Sequence, residues 1–68
     1  MKLSARNQIK GKVVEVVKGK TTAHVRIEIA KGTIVTASIT NEAVDDLKLK
    51  TGDEVTAIIK SSDVMVGK

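Results

Sequence analysis

Two short polar runs, near opposite ends of the chain, contain the residues best suited to chemistry. The first run, Ser4 to Gln8, combines a hydroxyl, a guanidinium and two carboxamides and has no carboxylate. The second run, Lys60-Ser61-Ser62, follows an apolar stretch. All of these polar groups donate hydrogen bonds, and the guanidinium keeps its charge at any ordinary pH. We therefore predict that the two runs meet, within one chain or across two, and hold an oxyanion.

The charge balance of the chain favours an anionic partner. Twelve Lys and Arg side chains exceed eight Asp and Glu side chains, so the formal net charge is +4. The basic excess lies in residues 1–20 and the acidic excess in residues 41–54. A basic region first suggests nucleic acid, but the chain has no Phe, Tyr or Trp on which bases could stack. We therefore prefer a small inorganic anion, and a small basic nucleic-acid-binding β-barrel is the alternative.

The length of the chain predicts that it associates with itself. At 68 residues it forms one small domain, and a chain of about 60 residues buries only about 60% of its unfolded surface. Disulfides, a structural metal or oligomerisation usually supplement so small a core. The chain has no cysteine, and its one histidine, His24, cannot build a zinc site alone. Oligomerisation is the supplement that remains, and an assembly module without a ligand is a third hypothesis for function.

The apolar pattern predicts five strands. They are expected over residues 9–18, 22–30, 33–39 and 55–59, with a last short strand over 64–66. Three of them alternate cleanly, with Ala23, Val25, Ile27 and Ile29 inward, then Val35, Ala37 and Ile39, then Val55, Ala57 and Ile59. In the first strand, apolar residues fall on both faces between Val13 and Val17. That strand is therefore either bulged near Gly11 or covered on both sides.

One short helix is predicted between the third and fourth strands. Thr40-Asn41 is a helix-start signal, and Ala43, Val44 and Leu47 are the only apolar residues available to anchor the helix. The predicted order is therefore three strands, one helix and two strands. This is the order of elements in a small five-stranded OB-like barrel, so we predict that fold, of the all-β class.

The remaining chemical candidates have simpler interpretations. His24 lies on the polar face of an alternating strand and has no nucleophile or acid partner. Gly19-Lys20-Thr21 is like the end of a P-loop, but Val14 stands where that motif needs a glycine, so a hairpin turn is expected. We therefore expect that the protein is not an enzyme. No apolar run approaches the roughly 20 residues of a membrane span, and no signal peptide is visible, so a cytoplasmic protein without a membrane partner is expected.

The sequence resembles the small molybdate-binding proteins called molbindins, or Mop proteins. The resemblance runs over essentially the whole chain, and its most specific part is Ser4-Ala5-Arg6-Asn7-Gln8 leading into the Gly11-containing strand. Thr22 to Val25 and Thr56 to Met65, with Lys60-Ser61-Ser62 inside it, complete the match. A Lys-Ser pair after a late strand is weak evidence for the family by itself, but it is strong evidence together with the other matching segments.

This resemblance implies a function, a partner and a set of ligands. Residues 1–68 would form one molybdate-binding, Mop/TOBE-like domain that binds and stores molybdate or tungstate between subunits of a homohexamer, arranged as a trimer of dimers. The implied ligands are the Ser4 hydroxyl, the groups around Ala5 and Arg6, and the Lys60-Ser61 pair, with Thr40 as an addition. Asn7 and Gln8 would organise the loop. Further anion sites at subunit contacts are also implied, without assigned residues.

Overall fold

The computed structural model describes residues 4–68; Met1 to Leu3, including the basic Lys2, lie outside the described residues. Within these described residues, four strands and one α-helix follow one another. They are β1 (Asn7–Lys18), β2 (Thr22–Ala30), β3 (Thr33–Thr40), α1 (Asn41–Asp46) and β4 (Glu54–Ile59), and a single 3-10 turn, Ser61–Asp63, comes after β4. Within residues 4–68 no helix is long and apolar enough to cross a membrane.

The strands form one antiparallel sheet in the order β3-β2-β1-β4. The predicted last strand is not confirmed, because residues 64–66 form no strand and their side chains are at least half exposed. In the described part of the chain, β3 and β4 are therefore the two edges of an open sheet. The mostly-β architecture with one short helix agrees with the prediction, but residues 4–68 of a single chain form an open four-stranded sheet and not a closed five-stranded barrel.

The core lies on one face of this sheet, beneath α1. Its buried residues are Val13, Ala23, Val25, Ile27, Val44 and Ala57, and partly buried residues from every strand pack against them. The inward positions predicted for β2, β3 and β4 agree with this arrangement. α1 begins as predicted, since the Thr40 hydroxyl caps it by accepting a hydrogen bond from the Ala43 N–H at 3.0 Å.

The sequence interpretation needs two corrections, at the first strand and at the helix. The bulge of β1 lies between Val13 and Glu15, and not near Gly11. This extra residue reverses the alternation, so that Val13 and Val16 both face the core while Val17 lies opposite His24 on the outer face. In the helix, Leu47 was expected to be an anchor, but it is 66% exposed. Leu49 packs against the core instead.

Candidate functional site

The two polar runs lie at the same end of the β1–β4 strand pair. β1 begins at Asn7 and β4 ends at Ile59, and these two residues are register partners in the antiparallel pair. Continuing the register by one residue places Arg6, just before β1, opposite Lys60, just after β4. The structure therefore brings the two runs together within one chain, although 54 positions separate Arg6 from Lys60 in the sequence.

A side-chain hydrogen bond fixes this junction. The Asn7 Nδ2 donates to the Ile59 carbonyl oxygen at 3.1 Å, in a half-buried position. Asn7 thus joins the entry into β1 to the exit from β4, which agrees with its expected role as an organiser of the loop. Gln8, the next residue, is exposed on the outer face of the sheet, where it pairs with Ile58.

The segment after β4 is a short hydrogen-bonded turn. The Asp63 N–H donates to the Lys60 carbonyl at 2.9 Å, and the Val64 N–H donates to the Ser61 carbonyl at 3.2 Å. Lys60 is extended, with φ −65° and ψ 141°, at the start of this turn. The turn therefore sets the direction in which the Lys60 and Ser61 side chains leave the sheet.

Within residues 4–68, the two cationic side chains at this junction, Arg6 and Lys60, form no ion pair. Arg6 and Lys60 are both exposed, and the three ion pairs of that range lie elsewhere: Lys18–Asp45, Arg26–Glu15 and Lys50–Asp53. Ser4 and Ser61 add exposed hydroxyls, and Ala5 is half-buried between Ser4 and Arg6. The exposed Asp63, immediately after the second polar run, is a carboxylate close in sequence to Lys60. Two cations and two hydroxyls at one sheet end can donate charge-assisted hydrogen bonds to a small oxyanion.

Thr40, the additional candidate ligand, lies at the other end of the sheet. It pairs with Thr22 at the end of β3, next to the β1–β2 hairpin, whereas Arg6 precedes the opposite end of β1. The 12 residues of β1 separate these two ends, in a molecule whose longest extent is 34 Å. The Thr40 hydroxyl oxygen accepts the capping hydrogen bond from the Ala43 N–H, and the hydroxyl hydrogen can still be donated to another group. Thr40 can therefore share an anion with Arg6 and Lys60 only if it belongs to a second copy.

The other candidates have structural roles. His24 is exposed on the outer face, opposite Val17 and Ser38. The Gly19-Lys20-Thr21 segment is a hairpin turn, held by Asn41, whose Nδ2 donates to the Gly19 carbonyl at 2.9 Å and whose N–H donates to the Thr21 carbonyl at 2.9 Å. Across residues 4–68, no three His, Cys, Asp or Glu side chains cluster in a way that could hold a metal ion.

Sequence reasoning missed an apolar groove beside the core. A cavity of about 340 Å³ opens between the edge strands β3 and β4, and the exposed Leu47 contributes to its lining. The signal that could have found it is the surplus of apolar residues. Leu47 and Leu49 follow a helix of six residues that buries only Val44, so the sequence has two more apolar side chains here than the helix buries.

Residues 4–68 form a small, mostly-β domain with an open four-stranded antiparallel sheet and one short helix. The TOBE domain model matches residues 3–66. Molybdenum-pterin-binding protein 3 of Clostridium pasteurianum is 56% identical over 66 residues, which cover 97% of each chain. This chain belongs to the TOBE domain family, among its molybdenum-pterin-binding (Mop) members.

Solved structures agree with this assignment. The molybdate-binding protein of Sporomusa ovata superposes with a TM-score of 0.93 at 43% sequence identity, and the match covers the whole of both chains. ModG, described as a cytoplasmic molybdate-binding protein and solved with molybdate bound, superposes with a TM-score of 0.90 at 40% identity. That match covers 96% of this chain and 46% of ModG. The fold is therefore one that these molybdate-binding proteins share.

Proposed function

We propose that residues 1–68 act as one domain that binds molybdate or tungstate at the shared end of β1 and β4. The observation that carries the proposal is the β1–β4 register: its last pair, Asn7–Ile59, puts Arg6 and Lys60 immediately beyond the same end of the two strands, and neither has an ion-pair partner within the described residues. Ser4 and Ser61 supply hydroxyl donors, and the backbone around Ala5 lines the site. The relatives named above are described as molybdenum-pterin-binding or molybdate-binding, which supports this choice of oxyanion.

Binding, and not catalysis, fits the groups at this site. They are donors and cations, with no nucleophile held beside a general base. A tetrahedral dianion has four oxygens, and each charge-assisted hydrogen bond contributes roughly 1.5–3 kcal/mol. Four or five such bonds suffice for micromolar affinity, which corresponds to about −8 kcal/mol. Donors held at rigid strand ends keep a fixed spacing, which would favour the larger molybdate and tungstate over sulfate.

The site is completed in a homo-oligomer, for which we propose a homohexamer built as a trimer of dimers. If Thr40 is a ligand, as proposed, it must come from a second copy, because it lies at the opposite end of the sheet from Arg6 and Lys60. The open edges of β3 and β4 also support association. In this assembly the protein would store and buffer the oxyanion in the cytoplasm, where ModG is described.

One titration tests the proposal. The purified protein is titrated calorimetrically with sodium molybdate, tungstate, sulfate and phosphate at physiological salt. We expect micromolar or tighter binding of molybdate and tungstate and much weaker binding of sulfate and phosphate. Equal affinity for all four anions, or no heat with molybdate and tungstate, would remove the proposed specificity.

Salt dependence distinguishes this function from nucleic-acid binding. Phosphate-backbone binding weakens steeply as salt rises, because it releases counterions, whereas an anion held by a few aligned donors responds much less. Tight binding of DNA or RNA at physiological salt, with no response to molybdate or tungstate, would support the alternative β-barrel function.

A further inference from the structure

The tip of the β1–β2 hairpin, residues 19–21, is anchored to the start of α1 by one residue, Asn41. The Asn41 Nδ2 donates to the Gly19 carbonyl oxygen, and the Asn41 N–H donates to the Thr21 carbonyl oxygen, both at 2.9 Å. Lys20 is exposed between these two anchored residues. The backbone that carries the Lys20 side chain is therefore fixed on both sides.

Asn41 anchors the tip at an energetic cost. Its Oδ1 is buried and accepts no hydrogen bond from any group in residues 4–68, and a buried acceptor without a donor is destabilising by at least as much as one neutral hydrogen bond is stabilising. The bond to the Gly19 carbonyl is exposed, so water can take the place of the amide there. Stability alone therefore does not account for this amide, and its remaining effect is to fix the position of the tip.

The two lysines of this hairpin differ in how their charges are balanced. Lys18 forms an ion pair with Asp45 of α1, whereas Lys20 has no ion-pair partner within the described residues. The sequence has no Asp or Glu between residues 16 and 27, and the exposed Glu42 of α1 forms no ion pair in the described part of the chain. Lys20 is therefore a cation on an anchored turn, available to an external anion.

Exposed hydroxyls accompany Lys20 at this end of the sheet. Thr21 adjoins it in the tip, and Thr22 and Thr40 are register partners where β2 begins and β3 ends. These are the same kinds of donor as at the Arg6 end, an uncompensated cation beside hydroxyls. Because Thr40, as a proposed ligand, comes from a second copy, the hairpin tip beside it approaches the same anion. The flexible four-carbon stem of a lysine can then bring its ammonium to an anion oxygen.

We propose that Lys20 is a further ligand of the oxyanion site, contributed together with Thr40 by a second copy and positioned by Asn41. This inference rests on the proposed function. Lys20 is then the third cation at the anion, beside Arg6 and Lys60 of the first copy. Since the attraction between charges scales with the charge of each, a third cation favours dianions over singly charged anions of the same shape. Lys20 therefore contributes to specificity as well as to affinity.

The first test compares charge-removing and charge-conserving substitutions by calorimetric titration with molybdate. We expect Lys20→Gln to weaken binding roughly two- to five-fold at low salt, the size of one exposed charge contact, and the loss to shrink as salt rises. Lys20→Arg should retain most of the affinity. Lys10→Gln is the control, because Lys10 is also exposed but lies within β1, opposite Thr56. Unchanged affinity of Lys20→Gln at low salt would overturn the proposal.

The second test separates charge from shape. Perrhenate is a tetrahedral oxyanion similar in size to tungstate, but it has a single negative charge. We expect Lys20→Gln to lose more affinity for tungstate than for perrhenate, so that the ratio of the two affinities falls. Equal losses for the two anions would overturn the role of the Lys20 charge in specificity.

The third test concerns the positioning role of Asn41. We expect Asn41→Ala to weaken molybdate binding when Lys20 is present and to have no further effect in the Lys20→Gln variant, because the amide acts through that lysine. Thermal unfolding without anion should change little, since the substitution removes the unpartnered Oδ1 together with the exposed bond to Gly19. Equal losses of affinity with and without Lys20 would overturn the positioning role.

A mixing experiment tests whether Lys20 acts from a second copy. Arg6→Ala chains and Lys20→Gln/Thr40→Val chains are unfolded, mixed and refolded together. We expect sites of full affinity, absent from either variant alone, because some sites then combine Arg6 of one chain with Lys20 and Thr40 of another. No recovery would overturn the contribution from a second copy. Absence of molybdate binding in the unsubstituted protein would overturn the proposed function and this inference with it, whereas normal binding that Lys20→Gln leaves unchanged would overturn this inference alone.

Discussion

The Asn7 amide nitrogen donates a hydrogen bond to the Ile59 carbonyl oxygen, and this bond ties together segments 52 residues apart. Arg6 immediately precedes this end of β1, and Lys60 immediately follows this end of β4. A neutral hydrogen bond contributes about 1 kcal/mol to stability, and a buried acceptor left without its donor costs about 1–3 kcal/mol. Asn7 therefore stabilises the sheet at the end where Arg6 and Lys60 leave it.

We predict that Asn7→Ala lowers the free energy of unfolding by about 1 kcal/mol and also weakens molybdate binding. The Ile59 carbonyl loses its donor, and Arg6 and Lys60 lose their alignment. Gln8→Ala is the matched control, because Gln8 is the adjacent carboxamide but lies exposed on the outer face. Urea unfolding and calorimetric titration measure the two effects at a fixed protein concentration. Equal effects of the two substitutions would show that the Asn7–Ile59 bond has no special role.

We predict that Arg6→Ala and Lys60→Ala each weaken oxyanion binding roughly ten- to a hundred-fold, the equivalent of one charge-assisted hydrogen bond of about 1.5–3 kcal/mol. Both side chains are exposed, so their loss opens no core cavity and the fold remains. Lys10→Ala is the control, since Lys10 is equally basic but pairs with Thr56 on the outer face. Calorimetry measures the affinities. Unchanged affinity in either variant would exclude that residue from the site.

The double variant tests whether Arg6 and Lys60 share one anion. Two groups that contact the same ligand give non-additive effects, whereas distant independent groups add within about 0.3–0.5 kcal/mol. We expect the combined loss of affinity in Arg6→Ala/Lys60→Ala to differ from the sum of the single losses. Strict additivity would mean that the two side chains serve different sites.

We predict that Thr40→Val lowers both stability and affinity, and that Thr40→Ser preserves both. The Thr40 oxygen accepts from the Ala43 N–H at the start of α1, and loss of such a cap costs about 1 kcal/mol. The same hydroxyl is proposed to reach an anion held by another copy. Thermal unfolding without anion isolates the cap, and titration well below the melting temperature isolates the ligand role. Lower stability with full affinity would leave Thr40 as a cap alone.

We predict that Gly11→Ala destabilises the sheet by about 1–3 kcal/mol, the usual cost of overpacking. An added methyl would lie 2.6 Å from the Ile27 Cγ2 and 2.7 Å from the Glu28 carbonyl oxygen, because β2 passes close to β1 at this point. Lys10→Ala, one residue earlier on the opposite face, should change stability by less than about 0.5 kcal/mol. Urea unfolding measures both, and similar midpoints for the two variants would contradict the close packing at Gly11.

The sequence alone determined most of the local structure. Alternation in 22–30 and 33–39 correctly identified β2 and β3 with their inward residues, and Thr40-Asn41 marked the start of α1. These features depend on residues close together in the chain. The donor-rich runs at Ser4 to Gln8 and at Lys60 to Ser62 were also visible, because residue type alone shows which groups donate hydrogen bonds.

Only the tertiary structure decided which of these pieces meet. The valines of β1 fit a bulge or a strand covered on both sides, and the long-range register with β2 places the bulge at Val14. Likewise, the β1–β4 register places Arg6 opposite Lys60, while the β2–β3 register places Thr40 at the far end of the sheet. Val64 to Val66 have the composition of a strand but pair with no strand within residues 4–68. Strand pairing is a contact between distant segments, so local pattern predicts a strand but not its partner.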